Sequence, residues 1–293
     1  MSEYQTDYQG YQQEFEDFTR EYLQRMKTSP SILGESMTYS LLNGGKRIRP
    51  VLALACAKAL GVDKDDVLPF ALAIEMIHTY SLIHDDLPAM DNDDFRRGKP
   101  SNHKVFGEAN AILAGDGLLN EAYAICFRES LKGEKHLRAS LYLNECAGIA
   151  GMIAGQSADL SFSGTDGEIA EKDLLYVYAQ KTGKLLSAPI VMMAILKNDG
   201  NYSKWERFGQ LLGVLFQMTD DILDVTGDFN ILGKSIGKDQ GQNKLTCVRL
   251  YGLEESKRKA ELCAQHCHDV LKEIDADTAF LHTLIDGLLL REK

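Results

Sequence analysis

The segment LPFALAIEMIHTYSLIH, residues 68–84, is apolar around nearly the whole circumference of a helix. Such a segment belongs in the centre of a helical bundle or in a membrane. No run of about 18 uncharged apolar residues occurs in the chain, so no membrane span is expected and the buried central helix is the reading that stands. Asp65 and Asp66 precede it, and Pro69 suits a first helical turn. The rest of the chain keeps the helical period. Tyr11, Phe15, Phe18 and Tyr22 share one stripe of an opening helix, and VLALACAKAL follows the turn at NGGKRIRP. Further helices are expected over Ala109–Ser130, Leu137–Leu160, Glu168–Lys197 and Ser203–Val225, with two more between Leu245 and the end. Alternating strand patterns, internal repeats and long Pro/Ser linkers are absent. The expectation is one all-α domain over residues 1–293, a large antiparallel bundle with short connections.

Charge narrows the class of partner. A net charge of −11 speaks against nucleic acid, which needs a basic face, and against anionic lipid. The polar, acidic start has no apolar leader segment, and the six cysteines are scattered through helical sequence apart from Cys263 and Cys267. Both features point to free thiols in the cytoplasm.

The central helix ends in HDDLPAMDNDDFRRGKPSNH, which places Asp85, Asp86, Asp91, Asp93 and Asp94 within ten residues. A second acidic group, FQMTDDILDVTGD, carries Gln217, Asp220, Asp221, Asp224 and Asp228 at spacings of three and four, one polar stripe on a helix. Like charges about 4 Å apart at an effective dielectric near 20 repel by roughly 4 kcal/mol. Such stripes must stay protonated, sit in water or hold cations. One isolated stripe is as often a solvated face. Two, each ending a long apolar helix, point to a hard divalent ion, and magnesium commonly uses a few carboxylates together with substrate phosphates. MDNDDFRRG lacks the ligand spacing, central glycine and closing glutamate of a calcium EF-hand.

Cations stand beside these groups. Lys46, Arg47 and Arg49 follow paired glycines in NGGKRIRP; Arg96 and Arg97 follow the first acidic group; Lys181 and Lys184 flank Thr182–Gly183; Lys234, Lys238 and Lys244 follow the second. Guanidinium forks and lysines are natural phosphate ligands, and these suffice for two polyphosphates. In GMIAGQSADL, Gln156 and Asp159 lie one turn apart, a weak signal alone. Two motifs are rejected. GDFNILGKS spaces its glycines one residue too far for a P-loop and follows a helix rather than a strand. CAQHCHD offers Cys263, His266, Cys267 and His268, but no single helical face presents all four.

Taken in order, GGKRIRP, HDDLPAMDNDDFRRGKPSNH, GMIAGQSADL, KTGKL, FQMTDDILDVTGD and LGKSIGKDQGQNK make the chain resemble, end to end, the head-to-tail trans-prenyltransferases, the short-chain isoprenyl diphosphate synthases. The four-residue spacer in DDLPAMD is similar to that of bacterial farnesyl diphosphate synthases and some geranylgeranyl synthases. The resemblance implies an isoprenoid-synthase bundle around an apolar tunnel, a homodimer, and magnesium as cofactor, three ions per active site with manganese able to substitute. It implies that Asp85, Asp91 and Asp220 hold the metal, supported by Asp86, Asp221 and Asp224. Arg96, Lys181 and Lys234 would contact the allylic diphosphate, with Lys244 as a further contact. Lys46, Arg49, His78 and Arg97 would bind isopentenyl diphosphate, and Lys181, Thr182 and Gln217 would lie along the carbocation. Arg291 and Lys293 would form a C-terminal flap.

The implied chemistry is heterolysis of an allylic C–O bond, attack by the second substrate's double bond and loss of a proton. Cations that stabilise the leaving group serve this without a protein nucleophile, which agrees with the absence of a Ser–His–Asp or Cys–His arrangement. Tyr80 and Ser81 lie just over one turn upstream of Asp85, and a tyrosine there resembles the tunnel floor of farnesyl synthases. A C15 product through a C10 intermediate is therefore expected. A geranylgeranyl synthase is the alternative with the same chemistry. A terpene cyclase needs only one diphosphate site, and a non-catalytic regulatory subunit should have lost acidic ligands that are intact here.

Overall fold

The computed structural model describes residues 2–26, 30–162, 170–200, 202–226 and 245–290. Among the described residues the fold is all-α apart from one two-stranded hairpin. The chain divides into two compact units, Met1–Ser140 and Leu141–Lys293.

The first unit contains α1 (Glu3–Arg25), α2 (Ser31–Leu41), α3 (Ile48–Leu60), α4 (Lys64–Asp85), β1 (Phe95–Arg96), β2 (Lys99–Pro100), α5 (Asn102–Phe106), α6 (Glu108–Ser130) and the start of α7 (Glu134–Ala147). Its axis is α4, the apolar segment of the sequence. The Asp63 carboxylate caps its start by accepting the Asp65 N–H at 2.9 Å. Phe70, Leu72, Ile74, Met76 and Ile77 are completely buried, on all sides of the helix, each contributing roughly 1.5–3 kcal/mol of apolar burial. Helices α3 and α6 pack on it. Among the described residues α4 is the one helix long and apolar enough to cross a membrane, and 67% of its apolar window is buried inside the protein.

Helix α2 had no counterpart among the expected elements. SILGESMTYSL spends five of its eleven residues on serine, threonine and glycine, a composition with low helix propensity. Packing rescues it. Met37 is seated on Gly117 of α6, where any side chain would crowd the Met37 sulfur, and Ser36 donates to Asn102 at 2.8 Å.

The second unit continues α7 and contains α8 (Met152–Phe162), α9 (Glu171–Val177), a π-helical turn (Tyr178–Gly183), α10 (Lys184–Lys197), α11 (Tyr202–Thr226), α12 (Cys247–Tyr251), α13 (Leu253–Lys272) and α14 (Ala279–Leu289). Helix α11 packs on α10 and α13, and Trp205 and Phe208 on it are fully buried. The helix expected over Leu137–Leu160 is in fact two. A side chain at Gly151 would collide with the Cys146 carbonyl oxygen, and the chain turns there between α7 and α8. The helix expected to run to Lys197 is interrupted by the π-helical turn. Among the described residues beyond Leu245 there are three helices rather than two, because Gly252 at φ +79° separates α12 from α13. All six cysteines are buried free thiols.

Candidate active site

The cationic group of the first unit is built on two turns that only unusual backbone allows. In the turn before α3, Gly44, Gly45 and Arg47 have φ of +68°, +113° and +51°. A side chain on Gly45 would occupy the place of the Arg97 guanidinium, which donates to the Gly44 carbonyl. The Lys46 carbonyl accepts from Tyr8 at 2.7 Å and Gln12 at 2.9 Å, tying α1 to the turn. Arg47 is 3% exposed. It pairs with buried Glu75 at 2.9 Å and donates to the Leu41 carbonyl at 2.7 Å. Arg49 is likewise buried, in the first turn of α3. Arg47 thus holds the turn, while Lys46, Arg49 and Arg97 remain beside it.

The second turn is the β1–β2 hairpin. Its two central residues, Arg97 and Gly98, have φ of +53° and +76°, as a tight two-residue hairpin requires. Arg96 faces inward and forks onto Asp86: Nε lies 3.0 and 3.3 Å from the two carboxylate oxygens, and Nη2 closes on the first. Asp86 is 2% exposed, and burial raises its pKa against the opposing pull of Arg96. Asp85 and Asp91 stay half-buried, and the Asp91 N–H donates to the Asp85 carbonyl at 2.8 Å, curling the acidic loop back on the end of α4.

His78 projects from α4 toward this cluster. Burial and the guanidiniums of Arg49, Arg97, Arg96 and Arg47 hold it well below an ordinary histidine, so it is neutral. Burial also lowers Arg97, with Arg47 and Arg96 adding to the effect. A cleft lined by Tyr39, Asn43, Thr79, Asp86, Arg96 and Arg97 opens here. Such crowding of like charge stabilises an incoming anion.

In the second unit the π-helical turn carries Lys181 and Thr182. This wide turn fits because Gly155 of α8 and Gly213 of α11 leave room: a side chain on either would fall on the backbone of Lys181 or Gly183. The Lys181 ammonium meets Asp159 at 2.6 Å. Thr182 donates its hydroxyl to Gln217 Oε1 at 2.8 Å, and Gln217 Nε2 donates to Asp221 Oδ1 at 3.0 Å. Asp221 Oδ2 accepts the Tyr178 hydroxyl and, at 2.8 Å, the Cys247 N–H. Asp221 and Asp224 are buried and Asp220 half-buried, all within the last two turns of α11.

Tyr80 and Ser81 behave differently from one another. Tyr80 is 7% exposed, stands edge-on to His84 at 5.7 Å, and is pushed up to about 12 by burial. Ser81 turns its hydroxyl back to the His78 carbonyl at 2.9 Å. Lys234, Lys238, Lys244 and Asp228, with Arg291 and Lys293, lie outside the described residues. Two participants escaped the sequence reading. Asp159 was visible only as half of a weak polar pair, and its partner Lys181 lies 22 positions away. Tyr178 carried no signal at all.

Other titratable clusters are structural. Asp66, Glu129 and His136 converge within 4.8 Å, but the Lys132 ammonium sits 3.2 Å from Asp66 and 2.7 Å from Glu129 and supplies their counter-charge. In CAQHCHD, Cys263 and Cys267 point inward, His266 is exposed, and His268 pairs with His282 at 2.7 Å.

The polyprenyl synthetase family model matches residues 30–280. The chain belongs to that family. This polyprenyl synthetase is 43% identical over 273 residues to a farnesyl diphosphate synthase of Micrococcus luteus, covering 92% of this chain and 93% of the relative. It is 44% identical over 255 residues to the large subunit 1 of a heterodimeric, chloroplastic geranylgeranyl pyrophosphate synthase of Arabidopsis thaliana, covering 85% and 69%. Among solved structures it matches a geranyltransferase of Helicobacter pylori, complexed with magnesium and isoprenyl diphosphate. That match has a TM-score of 0.84 and 31% identity, and covers 99% of this chain and 97% of that one.

Proposed function

We propose that this polyprenyl synthetase condenses isopentenyl diphosphate head to tail with dimethylallyl and then geranyl diphosphate, giving (E,E)-farnesyl diphosphate and diphosphate. The observation that carries this reading is that each aspartate group is crowded onto one stretch of a long helix: Asp85 and Asp86 close α4, where the helix end adds about half a negative charge, and Asp220, Asp221 and Asp224 lie within five residues of α11. An all-oxygen donor set under that strain suits a hard divalent cation. In this reading Asp85, Asp91 and Asp220 hold magnesium, three ions per site with manganese as substitute, and Asp86, Asp221 and Asp224 support them. Bound magnesium neutralises charge developing on the departing diphosphate.

The chain's own cations share the rest. Arg96 and Lys181, with Lys234 and Lys244, take the allylic diphosphate. Lys46, Arg49 and Arg97 take isopentenyl diphosphate, and His78, being neutral, offers it a hydrogen bond without adding charge. Thr182 and Gln217 with Lys181 lie along the allylic cation, and the lost proton passes to the released diphosphate. Tyr80 floors the apolar tunnel and favours C15. The identity to a geranylgeranyl synthase makes C20 the second reading. One catalytic domain over 1–293, a homodimer and a cytoplasmic location complete the proposal; exposed Phe127 and Leu131 on α6 and its end supply apolar surface for a second copy.

The test is incubation with both C5 diphosphates and magnesium, with and without EDTA, followed by chromatography of the dephosphorylated products. A C15 alcohol that disappears with EDTA is the expected outcome; no condensation in magnesium would overturn the proposal.

A further inference from the structure

Asp221 gathers three donors, and two of them, the Tyr178 hydroxyl and the Cys247 N–H, lie apart from the groups proposed to face substrate. Tyr178, 2% exposed at the start of the π-helical turn, donates its hydroxyl to Oδ2 and accepts the Cys247 N–H at 2.8 Å. That same N–H also reaches Asp221 Oδ2 at 2.8 Å. Gln217 Nε2 supplies a third donor, to Oδ1 at 3.0 Å. Both carboxylate oxygens of Asp221 act as acceptors in these contacts. Gln217 must therefore turn its NH₂ toward Asp221, which points its oxygen at Thr182. Thr182 in turn must donate, at 2.8 Å. A threonine hydroxyl in a helix ordinarily donates to the carbonyl one turn back; here the wide turn and Gln217 redirect it. With its proton committed to Gln217, the oxygen keeps its lone pairs for an electron-poor neighbour.

We propose that Tyr178 is a positioning residue for the ionisation step: through Asp221 and Gln217 it fixes the Thr182 hydroxyl as a donor to protein, leaving its oxygen to face the developing allylic cation. This rests on the placement of Thr182 and Gln217 along the cation proposed above. Tyr178 itself touches no substrate. Its hydroxyl bridges the π-helical turn, α11 and the first residue of α12, so that the orientation of one amide is set by three separate stretches of chain.

The experiment is a double-mutant cycle between Tyr178→Phe and Thr182→Val, read as kcat and KM for geranyl diphosphate and for its 2-fluoro analogue, whose electron-withdrawing fluorine makes ionisation harder. Tyr178→Phe is expected to lower kcat about tenfold, the scale of one hydrogen bond lost from a positioned network, with KM nearly unchanged. The fluorinated substrate should slow by a larger factor than it does in the wild type, which a merely structural defect would not produce. Adding Thr182→Val to Tyr178→Phe should cost little more, because both remove the same oriented oxygen.

Should Tyr178→Phe melt below the assay temperature, the cycle is run at a lower temperature at which circular dichroism shows all four proteins folded, and the same coupling must appear there. Losses that multiply independently, or an unchanged fluorine sensitivity, overturn the inference while wild-type turnover leaves the proposed function standing. A wild type that forms no product defeats the functional reading itself.

Discussion

Arg96 closes its guanidinium fork on Asp86, ten residues upstream and 2% exposed, so that the first acidic motif and the first cation after it form a single rigid unit. A planar fork on a carboxylate is both strong and directional. Asp85 and Asp91 stay half-buried in the same motif, with the cation fixed alongside. Arg96→Ala should lower kcat about 100-fold, the cost of losing one preorganised charge from a leaving-group site. Arg96→Lys, which keeps the charge without the fork, should recover only part of that, as steady-state assays would record.

Glu75 and Arg47 make an ion pair in which both side chains are 2% exposed. Breaking such a pair strands a buried charge, at about 3–5 kcal/mol. Glu75→Ala should lose that much in urea denaturation and weaken isopentenyl diphosphate binding as the GGKR turn loosens. A loss below about 1 kcal/mol would mean that Glu16, 3.8 Å from Arg47 Nε, had taken over.

His78 gives the fold a pH dependence of known sign. Its folded-state pKa lies well below 6.5, so below that pH the unfolded chain binds a proton that the native state refuses. Stability contributed by neutral His78 is complete above pH 6.5 and declines as pH falls toward the depressed native value, by at most about 1.4 kcal/mol per unit. Denaturation curves at pH 7 and 5.5 should converge for wild type and His78→Asn at the lower pH if His78→Asn is the less stable at pH 7. Parallel curves would show that His78 titrates normally.

Tyr80→Ala should lengthen the product. Removing a buried ring opens space at that point on α4, and chromatography should show C20 and longer alcohols at the expense of C15. An unaltered product profile would place the floor elsewhere.

Gly213→Ala tests the wide turn. The new methyl would press on the Gly183 backbone, which has no side chain to move aside. Overpacking of this kind costs about 1–3 kcal/mol, and kcat should fall with it as Lys181 and Thr182 shift. Full activity would show that the turn tolerates displacement.

Much of this was legible in the primary structure, and for identifiable reasons. The aspartate groups and their flanking cations stand out because two such stripes, each on a long apolar helix, are hard to read as solvated faces, and α4 because a helix apolar on every face belongs in a core or a membrane and the chain has no uncharged apolar run long enough for the second. What stayed hidden depends on contacts distant in the chain. Helix α2 forms against its own weak propensity because Met37 finds a glycine on α6. The break at Gly148–Gly151 and the π-helical turn are decided by backbone clashes that no period reveals. Tyr178 reads as one more tyrosine in a helix until Asp221, 43 positions later, is brought to its hydroxyl. Asp159 likewise acquires meaning only from Lys181.

Tyr80 and Asp85 ride on one unbroken helix, five residues and hence about 7.5 Å apart along its axis. On the proposed reading, anchor and stop are therefore marks on the same ruler. Sliding or tilting that rod carries both together and leaves the interval between them unaltered, so thermal motion does not blur the length being measured. On that reading the gauge is reset by exchanging the side chain that forms the stop.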